Sequence, residues 1–577
     1  MKQNKYNKEK RSMKMTVKLL GAAFFILHSS LFIYSCAEYN VTDDFKAEPD
    51  PTMVPRYTDL GPVKSYTDRN AYPNFSLGTQ LKLKDFNDQA LQHAAAIANF
   101  DDVYFGTDLM GGKIINGKGS MNFISMNTMV SHAKEIGATV FGSPIAANSN
   151  QPDDWFKYLT SPIEIIVDFI DEKSVDFTQM AAGTSYGGGS IVTKDGKNYL
   201  QIGKDSRPKA NVNLVDGFQV NHLSKYNITF VAKADKNASF NIVFSGNDVL
   251  NPQSTDGKYA IKAGNRVKFE VECRSAEGVK DGVFTIKNGN NAVVYVESVD
   301  VGYYPDNHRD QTAQEVSDTI HNALNTWYNA LMRNNAGCIK TFDLIDEPID
   351  AKAELENGLY DLKHATKDEE GKAEQIFWQD VFGSENYAPT VASAARAAFQ
   401  QYEGNPDELK FFISESGLDE QKKFESLMYW VNIWDAKGAK IDGIDAKLSL
   451  TYYEDAAKQQ ANVAKLDNLL QNLATSGKLI RVSNFDIKYQ DAEGNSVEAK
   501  NITTAQRQSL ADFYAYVIKS YMNKIPNDKQ AGICKGNMLD TNDPVGLWSY
   551  ESLYENGPKD WVRTATYEAF CKALSGQ

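Results

Sequence analysis

Four acidic side chains stand at the ends of apolar runs, where an acid can serve as proton donor, base or nucleophile. Glu347 closes Phe342-Asp-Leu-Ile-Asp-Glu, with Asp346 beside it. Glu415 closes the run from Lys410, Asp108 closes the run from Asp102, and Asp486 follows Leu479–Phe485. Runs of this length, rich in β-branched and aromatic residues, read as strands. If the strands share one sheet, their ends gather carboxylates on one face, and two carboxylates close together can form a proton-transfer or nucleophilic pair. Taken singly, each acid has a solvated or structural role as its competing reading. A fifth end, in Lys478-Leu-Ile-Arg-Val-Ser-Asn-Phe-Asp486, offers Asn484 instead. An amide neither ionises near neutral pH nor acts as a carboxylate nucleophile.

The elements that must position these residues repeat along the chain. Eight strand candidates are legible: Phe75–Leu81, Asp102–Asp108, Ala138–Pro144, Ile339–Asp346, Lys410–Glu415, Ile444–Thr451, Leu479–Phe485 and Ala531–Met538. Helical patterns lie between them. Val316, Ile320, Leu324, Trp327 and Leu331 recur at helical spacing, as do Val463, Leu466, Leu470 and Leu473, with Gly477 as a stop. Eight strands alternating with helices predict an α/β fold, a (β/α)8 TIM barrel. From about Ser161 to Tyr304 the helical period disappears. Short alternating runs such as Ser239-Phe-Asn-Ile-Val-Phe, separated by Gly and Asn turns, predict an all-β sandwich of jelly-roll type interrupting the barrel after its third strand. The expected division is a barrel from 57–158 and 306–577 with an inserted module at 159–305. Because loops after barrel strands lie on the catalytic face, the module is expected at the rim of any cleft there.

Four segments carry a family resemblance. Phe342-Asp-Leu-Ile-Asp-Glu-Pro348 resembles the W-D-V-V-N-E strand end of glycoside hydrolase family 10, the xylanase family. Lys478–Asp486 resembles its L-V-R-I-T-E-L-D strand, Lys440-Ile-Asp-Gly-Ile444 its I-D-G-I-G segment, and Val140–Pro152 its V-x-G-H-T-L-V-W-H-S-Q-x-P segment. The resemblance implies a TIM barrel and an inserted carbohydrate-binding module of the kind carried by gut Bacteroidetes members. It also implies a pair of catalytic glutamates about 5 Å apart. Glu347 falls at the acid/base position, Asp346 replaces the preceding Asn, and Asn484 falls at the nucleophile position. Asp486 keeps the supporting acid of the L-D pattern. The sugar-holding positions are changed as well: Ser143 for a His, Ala147-Asn148 for a Trp-His pair, Met110 after Asp108 for a Lys, Ser449 for a His. The Trp expected after strand eight has no counterpart in Gly532–Gly536.

Aromatic residues make up 11% of the chain, and ring faces can stack on sugar C–H faces or simply fill a core. Trp155, in the loop before the insert, is the expected platform. Trp548, with Tyr550 and Tyr554, follows strand eight on the same face. Trp430 and Trp434 are one helical turn apart and read first as core. The inserted segment has no Trp, so stacking there would fall to residues such as Tyr186, Tyr199 or Tyr259.

The N-terminus reads as an address. A basic front from Lys2 to Lys18 precedes the apolar run Leu19–Tyr34 and then Ser35-Cys36. The run is short for a membrane span and has signal-peptide flanks. The small residue before Cys36 resembles a bacterial lipobox, which implies cleavage of residues 1–35, lipidation of Cys36, a tether over 36–56 and an outer-membrane, surface-exposed location. Removing residues 1–35 changes the net charge from −14 to −20, a poor balance for nucleic acid. Cys273, Cys338, Cys534 and Cys571 match no zinc spacing. They read as buried apolar residues, with a Cys534–Cys571 bridge as the alternative. No cofactor or metal site is legible; a structural calcium ion in the Asp- and Asn-rich β segment stays open.

Two functions follow. One is a lipid-anchored protein that binds xylan or a related plant polysaccharide through a barrel lacking its nucleophile, for neighbouring enzymes or glycan-uptake proteins. The other is an active endo-acting glycoside hydrolase, xylanase-like, with a rearranged carboxylate pair drawn from Glu347, Glu415, Asp108 and Asp486.

Overall fold

A computed structural model describes residues 57–203, 211–288, 292–366, 375–402, 404–552 and 558–577. The signal segment, Cys36, the tether and Tyr554 lie outside the described residues.

Eight strands form the barrel: β1 (Ser76–Gln80), β2 (Asp102–Tyr104), β3 (Thr139–Gly142), β4 (Thr341–Asp346), β5 (Lys410–Ser416), β6 (Gly443–Tyr453), β7 (Leu479–Gln490) and β8 (Gln530–Lys535). Each pairs in parallel with the next, and β8 returns to β1 with Ile533 opposite Leu77. The sheet is therefore closed, with no free edge to cap. A two-residue strand, Ala146–Ala147, extends β4 at Ile345 and Asp346.

The helices bury the faces their periodicity marks. In α1 (Ala313–Asn335), Ile320, Leu324, Trp327 and Leu331 are buried. A capping box between Thr312 and Glu315 starts it by satisfying amides that have no intrahelical acceptor. Helix α2 (Gln421–Ala436) buries Trp430 and Trp434 in the core. Helix α3 (Ala456–Thr475) buries Leu466, Leu470 and Leu473, and Gly477 after it adopts a positive φ that a Cβ would strain. Helix α4 (Thr504–Lys524) opens on a second capping box, Thr503 with Gln506, and α5 (Ala565–Leu574) packs beside it.

The barrel interior is polar at several levels. Arg481 stacks its guanidinium 3.8 Å from the centre of the Phe141 ring, pairs with Asp445 at 2.9 Å and approaches Asp102 at 3.5 Å. Asp343 is also buried there. Its own burial, and then the charge of Asp445, push its carboxyl well above the usual range.

Between β3 and α1 the chain leaves the barrel through a neck in which Ile163–Glu164 pairs antiparallel with His308–Arg309. Beyond the neck, the described residues between 170 and 304 form two antiparallel sheets. Alternate residues such as Ile228, Phe230, Phe240, Ile242 and Ile286 turn inward to a core of their own.

Three expectations need correction. Trp155 is not a platform. It is 6% exposed, stacks on Phe156 at 5.7 Å, and lies under Gly119, where a Cβ would stand 2.5 Å from the indole nitrogen. Tyr199 and Tyr259 are buried in the β core rather than displayed. The alternative Cys534–Cys571 bridge does not form, and both are buried free thiols. Among the described residues, no group of three or more His, Cys, Asp or Glu is placed to hold a metal ion, and no helix is long and apolar enough to cross a membrane.

Candidate functional site

The end of β4 turns sharply. Asp346 is its last residue, and Glu347 follows in the left-handed region at φ 46°, its amide donating to the Ser414 carbonyl at 2.8 Å. Glu347 is held between two cations. Lys447 Nζ lies 3.3 Å from Oε1, and Lys363 Nζ lies 3.7 Å from Oε2. Burial alone would raise the Glu347 carboxyl. Lys447 and then Lys363 outweigh burial and hold it below the ordinary value. Lys447 is also ion-paired with Asp346, which accepts a hydrogen bond from the Ser414 hydroxyl at 2.6 Å. Burial works against the Lys447 charge, yet Asp346 and Glu347 raise its pKa. The result is a chain of alternating charge, Asp346–Lys447–Glu347–Lys363.

Asn484 sits at a β-bulge. Between β6 and β7 the register advances from Lys447 opposite Ser483 to Ser449 opposite Asp486, which leaves one extra residue on β7. Bulges re-aim side chains next to sites. Asn484 takes φ 51° and is exposed. It lines a cavity of about 430 Å³ together with Glu347, Lys447, Ser449, Asp419 and Tyr453. Thus the structure brings Glu347, Asn484 and Ser449 to one opening.

The other predicted residues are placed elsewhere. Glu415 is 1% exposed. Its oxygens accept from the amides of Ile349 and Ser416, and Lys423 pairs with it at 2.9 Å. Burial raises its pKa in spite of that lysine. It braces the β4 and β5 ends and does not line the cavity. Asp486 is committed to Lys535 and to both nitrogens of Asn537. Asp108 accepts from the Leu83 amide at 3.0 Å, capping the turn that follows β1. Trp548 packs edge-on to Tyr567, with ring centroids 5.3 Å apart. None of these is available as the partner carboxylate of Glu347 in this arrangement.

The region after β3 has an apolar filling. Met110, Ala147, Trp155, Trp327 and Trp378 surround a void of only about 20 Å³. Ser143 is 2% exposed, with a hydroxyl that has no hydrogen-bond partner. Asn148 meets Gln379 at 3.5 Å, while its Nδ2 is buried without a partner. Positions that the resemblance assigns to sugar contacts are thus closed by packing.

Four residues of the site were not singled out from the sequence: Lys447, Lys363, Asp419 and Lys465, of which all but Lys363 line the cavity. A signal for Lys447 existed. In Ile444-Asp-Ala-Lys-Leu-Ser449 the apolar residues alternate with Asp445, Lys447 and Ser449, which puts the two charged residues on one face of the strand.

The comparisons bear on this arrangement. Residues 303–543 match the family model described as Glycosyl hydrolase family 10. The matched span runs from the last strand of the inserted sheets through β4 to β8, and includes both Glu347 and Asn484. No curated protein matches. Similar solved structures include an endoxylanase of family 10 from a sugarcane soil metagenome, at 9% identity and TM-score 0.48, covering 89% of this chain and 100% of that one. Xylanase B from Clostridium stercorarium has 12% identity and TM-score 0.47, with coverage of 89% and 99%. An intracellular xylanase from Thermoanaerobacterium saccharolyticum, as a mutant with xylotetraose, has 11% identity and TM-score 0.46, with coverage of 89% and 98%.

Proposed function

We propose that this chain is a surface lipoprotein that binds a plant polysaccharide, xylan or a close relative, through a family 10 barrel that does not turn it over. One observation carries the reading: the carboxylate at the acid/base position is clamped by Lys447 and Lys363, and Asn484 lines the same cavity. A retaining glycosidase needs a protonated acid and an ionised nucleophile on opposite sides of the scissile bond. Glu347, held below its ordinary pKa, is ionised near neutrality and has no proton to give. Asn484 has no charge to attack with. The cavity still offers amide, hydroxyl, carboxylate and ammonium groups, and Tyr453 as a ring, which is a set suited to sugar hydroxyls. In this reading the segment 159–305 is a carbohydrate-binding module, Cys36 carries the lipid, and the protein serves neighbouring enzymes or transporters of the outer membrane.

The test is native affinity electrophoresis through gels cast with arabinoxylan, glucuronoxylan, mannan or β-glucan, followed by polysaccharide staining. Retardation without a cleared zone is the expected result. A cleared zone overturns the non-catalytic reading and favours hydrolysis. One observation supports that second reading: Asp419 lines the same cavity as Glu347, so a carboxylate pair is present there, though not the pair expected from the sequence. Loss of clearing in both Glu347→Gln and Asp419→Asn would assign the activity to that pair.

A further inference from the structure

A larger cavity, about 550 Å³, lies away from the cleft and shares none of its lining residues. Loops after β7 and β8 build it. The segment before α4 supplies Lys500, Ile502 and Thr503; α4 supplies Arg507 and Gln508; and the hairpin Trp548–Ser552 with Lys559–Arg563 forms a wall. Its volume falls in the range of small-molecule sites.

The chemistry of the lining narrows the ligand class. Arg507 is paired with Asp540 at 2.7 Å and lies 3.8 Å from Glu551, so its charge is already compensated. Lys500 is paired with Glu498 at 2.7 Å, and Arg563 donates through Nη1 to the carbonyls of Tyr57 and Leu60, while Lys559 adds a further cation to the hairpin wall. Between these charged groups stand Gln508, Thr541 and Ser549, and a ring, Tyr550, that is 54% exposed. Tyr550 has Trp561 as its cross-strand partner, with centroids 5.3 Å apart, and neither ring belongs to a core. An exposed ring, Tyr550, backed by the half-buried Trp561 and set beside hydrogen-bonding groups, matches a flat, hydroxyl-rich ligand that is apolar on its faces and polar at its edges.

We infer that this cavity is a second glycan-binding site on the barrel, which takes a short stretch of a β-linked oligosaccharide against Tyr550. The inference rests on the reading that the chain binds glycans, and adds a place for them independent of Glu347 and Asn484. Two sites on one chain engaging one polymer would strengthen retention of long chains over short ones.

The experiment counts ligands. Native mass spectrometry of the full chain with xylohexaose, cellohexaose or mannohexaose is expected to show at least two bound copies of one of them, one in the cleft and one at Tyr550, beside any copy held by the segment 159–305; copies that all persist in Tyr550→Ala overturn the site. Tyr550→Ala is expected to weaken the second copy by about tenfold or more and leave the first unchanged; stacked rings contribute on the scale of one such factor. Gln508→Ala, an exposed helix position, serves if the hairpin variant folds poorly. Ser449→Trp fills the cleft and is expected to remove the first copy only. A single copy in the wild type that Ser449→Trp abolishes overturns the second site and leaves the cleft reading standing. A single copy abolished by Tyr550→Ala does the reverse. No copy of any of the three oligosaccharides overturns both.

Discussion

Lys447 Nζ stands 3.3 Å from Glu347 Oε1 while holding Asp346 on its other side. A cation between two strand-end acids offsets their mutual repulsion and favours the charged form of Glu347. The clamp therefore works against proton donation by Glu347.

Removing that cation should be visible in titration. With Lys447→Met, the Glu347 carboxyl should move up from its depressed position, since burial is then opposed by Lys363 and the Ser416 hydroxyl without Lys447. Carboxyl-carbon NMR of both proteins checks this. The sign for stability follows from the depressed folded value. The Glu347 contribution is present above the unfolded pKa and lost as pH falls through the folded one, and the variant should lose that acid-side dependence. A Glu347 midpoint at or above its ordinary value of 4.5 in the wild type would contradict the clamp.

Placing a carboxylate at the bulge should not by itself give xylanase activity. Asn484→Glu supplies a carboxylate there, but Glu347 remains paired to two lysines and the region after β3 remains packed with Met110, Ala147 and Trp155. Loss of one member of a catalytic set costs several orders of magnitude. Reducing-end release by the variant should stay roughly a thousandfold or more below that of a competent xylanase.

The backbone at residue 484 makes its own prediction. At φ 51° an Asn is tolerated and a Gly is at ease, whereas a Cβ-bearing residue without a local hydrogen bond is strained. Asn484→Ala should lower stability by about 1 kcal/mol, with Asn484→Gly close to neutral. Chemical denaturation separates the two.

Arg481 should prove costly to remove. Arg481→Met leaves Asp445 and Asp102 buried without their cation, and breaking a buried pair typically costs about 3–5 kcal/mol. The deficit should shrink as pH falls. Asp343 and Asp102, already raised by burial, then bind protons in the folded state more readily than in the unfolded one. A deficit that is constant with pH would contradict this account.

Trp155→Ala distinguishes core from platform. The indole is enclosed by Phe156 and Gly119. The substitution should destabilise by about 3–5 kcal/mol and leave glycan retention of the folded fraction unchanged. Loss of retention at full stability would return Trp155 to the binding surface.

The sequence by itself determined the barrel. Eight apolar runs alternating with helical stripes have one compact solution, because each stripe must be buried against the sheet, and the period change near Ser161 marks where helices stop. It also put Glu347 at the end of its run, whereas Asn484, expected at a strand end, lies at a bulge within β7, which continues to Gln490. What only the tertiary structure decided is which strand-end groups share a space. Glu415 and Asp486 end their runs much as Glu347 does, yet Lys423 and Lys535 draw them away from the opening. Trp155 looks like a platform until Gly119, 36 residues earlier, is seen to cover it. Lys447 becomes a clamp only because β6 lies beside β5, whose neighbour β4 carries Glu347. Charge pairing and burial depend on contacts between residues far apart in the chain, and periodicity carries no record of them.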